Sequence, residues 1–132
     1  MGLPVRNILI VEDNASIREV LLPMLEIWME GKGMEASIHE AGNGMEALAW
    51  VQTHGEPDLL LLDVRMPRMD GAEFLRHIAS LGHDVRKKTL LLTGFADDLE
   101  AHLGTDALLM LHLRKPFTTP ELFAELDKLT GA

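Results

Sequence analysis

The sequence predicts an α/β protein, a doubly wound (βα)5 unit with a parallel sheet between two layers of helices. Two patterns carry that prediction. Apolar runs that end at polar residues alternate five times with helix-period segments over 132 residues. Alternation at this spacing implies parallel strands joined by crossover helices. The run Leu59-Leu60-Leu61-Leu62 has no polar alternation, so its strand must be buried on both faces. It stops at Asp63, with Pro67 and Asp70-Gly71 close behind. A carboxylate therefore sits where a buried strand surfaces and the chain turns. In an open α/β sheet, ligands bind at that edge.

The elements follow in order. Asn7 to Val11 is the first apolar run and ends at Glu12-Asp13. Asn14 is a good N-cap, and Ile17, Val20, Leu21, Met24, Leu25 and Trp28 fall on one helical stripe expected to face the core. Pro23 inside that stripe should kink the helix or loosen a turn, and Gly31-Lys32-Gly33 ends it. Met34, Ala36 and Ile38 alternate with Glu35, Ser37 and His39, the period of a half-exposed edge strand. After the turn Gly42-Asn43-Gly44, a short helix carries Ala47, Leu48 and Val51 and stops at Gly55 and Pro57. The leucine strand comes next, then a helix from about Ala72 to Leu81 with Phe74, Leu75 and Ile78. Lys88 to Thr93 reads as a buried strand ending on a hydroxyl, and Asp97 to Leu103 as a short, weakly patterned helix. Leu108 to Leu113 is the last apolar run and ends at Arg114-Lys115-Pro116. Thr119 as N-cap and Pro120 in the first turn open a final helix containing Leu122, Phe123, Leu126 and Leu129.

Composition narrows the function. Apolar content of 47% and charged content of 25% are those of an ordinary globular protein, read as one domain over 1–132 with its core at about 7–129. No apolar run approaches the ~18 residues of a membrane span, and Met1-Gly2-Leu3-Pro4 is too short and uncharged for a secretory signal to be expected. A cytoplasmic protein with no membrane insertion is expected. The net charge of −9 comes without the basic footprint that nucleic acid binding needs. With no cysteine, disulfides, zinc–thiolate sites and thiol catalysis are excluded. None of the six histidines is spaced like a zinc site.

Polar residues collect at the C-terminal ends of four strands: Glu12 and Asp13, Asp63, Thr93, and Lys115. In a doubly wound sheet these ends converge on one crevice. Close carboxylate pairs there repel by roughly 4 kcal/mol each at an effective dielectric near 20, and Lys115 alone cannot offset three. A divalent cation on Glu12, Asp13 and Asp63, completed by water, suits hard oxygen ligands and points to Mg²⁺. The cation, Lys115 and Thr93 could each hold one phosphoryl oxygen while Asp63 attacks in line and becomes the covalent carrier.

From about Asn7 to Leu129 the chain resembles the receiver domains of two-component response regulators. The resemblance rests on Val11-Glu12-Asp13-Asn14, Ala41-Gly42-Asn43-Gly44-Met45-Glu46-Ala47-Leu48, the stretch from Asp63 to Gly71, Leu92-Thr93-Gly94 and Lys115-Pro116-Phe117. It implies a flavodoxin-like three-layer sandwich with strand order 2-1-3-4-5. It also implies Asp63 as phosphoacceptor, with Glu12, Asp13, Asp63 and the backbone carbonyl of Arg65 as Mg²⁺ ligands. Thr93 would be the switch hydroxyl and Lys115 the phosphate-binding cation, aimed into the crevice by a cis bond to Pro116. Gly94, Arg65 and Phe95 would flank phosphate access, and the bulk of Arg65 and Phe95 predicts a long-lived phosphoryl state. His112 occupies the slot where an aromatic side chain turns inward on switching, so a weaker or pH-sensitive bias is expected there. Leu108-Leu109 departs from the family's Gly-Ala. The implied phosphodonor is a sensor histidine kinase or phosphotransfer protein. The output is a downstream protein bound through the fourth helix, fifth strand and fifth helix, by a monomer or weak dimer that turns over no separate substrate. A phosphorylation-independent interaction module, a receiver piece of a hybrid kinase or larger regulator, and an aspartyl phosphohydrolase are the alternatives. The last usually needs a second acid where Arg65 stands.

Overall fold

The computed structural model of the chain describes residues 5–94 and 110–131. Five strands, β1 (Asn7–Val11), β2 (Ser37–Ala41), β3 (Leu59–Asp63), β4 (Thr89–Thr93) and β5 (Leu111–Arg114), form one sheet in the order β2-β1-β3-β4-β5. All four pairings are parallel. The described helices are α1 (Ala15–Gly31), α2 (Gly44–His54), α3 (Gly71–Ser80) and, at the C-terminus, α4 (Thr119–Thr130). The expected helix from Asp97 to Leu103, together with Phe95, Leu108 and Leu109, lies outside the described residues. No described helix is long and apolar enough to cross a membrane.

The unbroken leucine run is explained by its two faces. Leu60 and Leu62 join Leu9, Val11 and Leu91 in a core closed by Ala47, Leu48 and Val51 of α2 and Phe74, Leu75 and Ile78 of α3. Leu59 and Leu61 point the other way, with Ile8, Ile10, Leu90 and Leu92, into a core closed by Leu21, Leu25 and Trp28 of α1 and Leu122 and Leu126 of α4. Side chains alternate across a strand, so a strand covered on both sides needs apolar residues at every position. Asp58 fixes where β1 and β3 start, because its Oδ2 accepts the backbone N–H groups of Arg6 and Asn7, each at 2.9 Å. On the α1 side, Asp127 of α4 accepts Trp28 Nε1 at 2.9 Å and pairs with Lys32 at 3.0 Å.

Each described α-helix is capped at its entry by a short polar side chain: Asn14, Asn43, Asp70 and Thr118. Two details differ from expectation, and Pro23 sits inside α1 as the sequence implies. The last cap is Thr118, not Thr119, because Glu121 completes a capping box with it: Thr118 N–H donates to Glu121 Oε1 at 3.0 Å and Glu121 N–H to Thr118 Oγ1 at 3.3 Å. Val20 does not enter the core and is 53% exposed. The apolar band on α1 is wider than the arc its neighbours cover, so Leu21, Leu25 and Trp28 are buried while Val20 and Ile27 flank them in the open.

Candidate functional site

The strand order reverses between β1 and β3, which puts the switch point of the sheet at their C-terminal ends. Val11 pairs with Leu62, so the next residue of each strand, Glu12 and Asp63, emerges side by side. Both are almost fully buried, at 1% and 2% exposure. Asp13 adds a third, exposed carboxylate, and one oxygen from each of the three lies within 4.8 Å of the others. Lys115 reaches in from the end of β5. Its Nζ donates to Glu12 Oε2 at 3.2 Å, Glu12 Oε1 at 3.4 Å and Asp63 Oδ1 at 3.2 Å. The Lys115–Pro116 bond is cis.

These groups open into a cleft of about 220 Å³ lined by Glu12, Asp13, Asn14, Ile17, Asp63, Arg65, Gly94 and Lys115. Residues up to 103 positions apart therefore meet. Thr93 is buried at the end of β4 (1% exposed). It directly follows Leu92, the register partner of Asp63, and its carbonyl accepts Lys115 N–H at 2.7 Å. The Arg65 backbone N–H donates to Asp63 Oδ1 at 3.3 Å. His112 lies apart from the cleft residues: it is exposed in the middle of β5, opposite Leu91, with Nδ1 3.3 Å from the Met110 carbonyl.

The loop after Asp63 is held against two glycines. A Cβ on Gly71 would stand 2.6 Å from the Asp63 carbonyl oxygen, and one on Gly44 would stand 2.8 Å from the Met69 carbonyl oxygen. Between them Arg68 adopts φ +72°, a left-handed conformation uncommon for a residue with a side chain.

The electrostatics are those of an acid cluster short of positive charge. Burial and the neighbouring Glu12 push Asp63 up to about 7, against the pull of Lys115. Burial works against the charge on Lys115, but Asp63 and Glu12 outweigh it and hold the amine above its ordinary value. Three clustered, all-oxygen donors with one amine between two of them fit a hard divalent cation such as Mg²⁺. Sequence reasoning missed Asn14 and Ile17 as cleft residues, although both belong to the turn and first helical residues that follow Glu12-Asp13. It also missed Arg18, whose Nη1 donates to the Glu12 carbonyl at 2.5 Å.

Fold and cleft together define a doubly wound α/β domain that presents an acidic, lysine-bridged pocket at its switch point. Residues 8–127 match the response regulator receiver domain family, and the chain belongs to that family. It is 36% identical over 122 residues to the transcriptional regulatory protein PdtaR of Mycobacterium tuberculosis, covering 92% of this chain and 55% of PdtaR. The chain spans about a third to a half of the length of curated relatives it matches. In structure it resembles the Vibrio cholerae chemotaxis protein CheY4, with TM-score 0.74, 28% identity and coverage of 95% and 98% of the two chains. It also resembles the receiver domain of the sensor histidine kinase PA1611 from Pseudomonas aeruginosa, with TM-score 0.76, 26% identity and coverage of 97% and 99%. The PA1611 structure holds a magnesium ion coordinated in its active site cleft.

Proposed function

We propose that this domain accepts a phosphoryl group on Asp63 from a histidine kinase or phosphotransfer protein and uses it to switch binding of a downstream protein. The observation that carries the reading is the meeting of Glu12, Asp13, Asp63 and Lys115 in one cleft with Asp63 almost fully buried. Asp63 Oδ attacks phosphorus and forms the new O–P bond as the N–P bond to the donor imidazole breaks, with the electron pair leaving on that nitrogen. Bound by Glu12, Asp13, Asp63 and the Arg65 carbonyl, Mg²⁺ would neutralise the acids and hold a phosphoryl oxygen. Lys115 holds another phosphoryl oxygen, a role supported by the 3.2 Å contact of its Nζ with Asp63 Oδ1. The Thr93 hydroxyl takes a third, and that movement biases the equilibrium of the C-terminal part of the domain toward the partner-binding state. Gly94 leaves the cleft open to the donor, while Arg65 at its rim shields the acyl phosphate from water. The domain turns over no separate substrate.

Helix α1 also offers a surface for the donor. Ile17 lines the cleft, and from it the open flank of α1 continues through Val20 and Met24 to Ile27, with Val20 53% and Ile27 59% exposed. An exposed apolar band adjoining a reactive cleft fits a helical donor that must bring its phosphohistidine to Asp63. Mass spectrometry after treatment with acetyl phosphate and MgCl₂ tests the chemistry. One phosphoryl group is expected on Asp63, and none in Asp63→Asn or in EDTA. Labelling of Asp63→Asn at an equal level would refute the assignment.

A further inference from the structure

We infer that Arg18 is a positioning residue for the acidic cleft, its guanidinium strapping the end of β1 to the edge strand β2 so that the Glu12–Asp13 turn is set for a divalent cation. The inference rests on the reading of the cleft above. Arg18 sits one turn into α1, and its Nη1 donates to the Glu12 carbonyl at 2.5 Å. Its Nε lies 3.5 Å from Glu40 Oε1 of β2, and the side chain is only 22% exposed.

The Glu12 carbonyl needs such a partner. Glu12 N–H is used by the Ala41 carbonyl at 3.1 Å, and Ala41 is the last residue of β2. Beyond that point the ladder ends while Glu12 itself is still buried, at 1% exposure, and a carbonyl left unpaired at a buried residue costs free energy. The Glu12–Asp13 peptide plane also sets where the Asp13 carboxylate points, because rotating that plane swings the next Cα. A guanidinium can reach the carbonyl with one N–H and Glu40 with another; a single ammonium point has no such fork. Gly42 flanks the strap: a Cβ there would stand 3.7 Å from Arg18 Nη1 and 3.3 Å from Glu46 Oε2.

A rival account gives Arg18 only a charge, a counter-ion for a crowded acidic end. The two accounts predict opposite signs. A lost counter-ion makes the cleft more negative, so Mg²⁺ would bind more tightly, by an amount that fades with salt. A lost strap lets the turn relax, so Mg²⁺ binds more weakly at any salt.

The experiment is a calorimetric titration of MgCl₂ alone, without phosphodonor, into wild type, Arg18→Met, Arg18→Lys and Glu40→Gln at low and high KCl. Arg18→Met should weaken binding about tenfold, Arg18→Lys by less, and Glu40→Gln least, with little dependence on KCl. With acetyl phosphate, the Mg²⁺ concentration giving half-maximal labelling should rise in parallel while the rate at saturating Mg²⁺ stays close to wild type. Unchanged or tighter Mg²⁺ binding in Arg18→Met or Arg18→Lys, each folded by circular dichroism, overturns the inference. A wild-type protein that binds no Mg²⁺ fails earlier and overturns the reading of the cleft itself.

Discussion

Asp63 is pulled in opposite directions by its surroundings. Burial and Glu12 favour its protonated form, Lys115 its charged form, and the first two win, leaving it near 7. An aspartate in the unfolded chain titrates near its ordinary value of 3.8, so between the two values the folded protein holds a proton that the unfolded chain has lost. Stability from this group is therefore present at low pH and disappears as pH rises through about 7. Asp63→Asn removes the titration while keeping the shape. In EDTA, the variant should melt on the order of 10 °C above wild type at about pH 8 and by about a third of that at about pH 5, since the loss begins near the unfolded value. MgCl₂ should narrow the alkaline gap by stabilising wild type more than the variant. Differential scanning calorimetry at the two pH values checks this, and an equal gap at both would show that Asp63 is not the group being strained.

Among the elements, the β3–α3 loop depends most on its neighbours. Residues 64–70 pass between α2 and α3, and Gly44 and Gly71 supply the space. At Gly44 the nearest obstacle includes the Met69 carbonyl oxygen at 2.8 Å, which is backbone and cannot turn aside as a side chain would. Gly44→Ala should cost about 1–3 kcal/mol, read as a fall in the urea midpoint with an unchanged slope. It should also weaken Mg²⁺ binding, since the displaced loop carries Arg65; full stability would show that the loop has slack. How much of this was legible varies by element. Four consecutive leucines announced β3, and Asn14 announced the start of α1, because each signal is local. The cap at Thr118 was legible too, through Glu121 three residues on, but adjacent threonines hid it. Burial on α1 was not legible, since the period of Ile17, Val20 and Leu21 marks an apolar band without saying how much of it the sheet and α4 cover. The left-handed backbone at Arg68 had no signal, because the residue is not glycine.

For the whole molecule, the parallel sheet turns positions far apart in sequence into neighbours, which is why Glu12, Asp13, Asp63 and Lys115 could be grouped from their places at strand ends alone. The Arg18 contact escaped the same reasoning because a helix arginine in sequence looks like a solvated charge. The same topology keeps the chemistry separable from the docking surface proposed on α1. The cleft is built from strand ends and their loops, whereas the apolar band lies on the outer flank of α1 and meets the cleft only at Ile17. A small donor needs only the cleft; a protein donor must also cover the band. Val20→Asp with Ile27→Asp should therefore leave labelling by acetyl phosphate at the wild-type rate. With any phosphohistidine protein that labels wild type, it should slow transfer about tenfold or more, since a charge buried in an apolar contact costs upwards of about 1.4 kcal/mol. Both positions are over half exposed, so the substitutions spare the core, and matched thermal midpoints verify that. Equal slowing with both donors would place the defect in the fold. Equal rates with both would move the docking surface off α1 altogether.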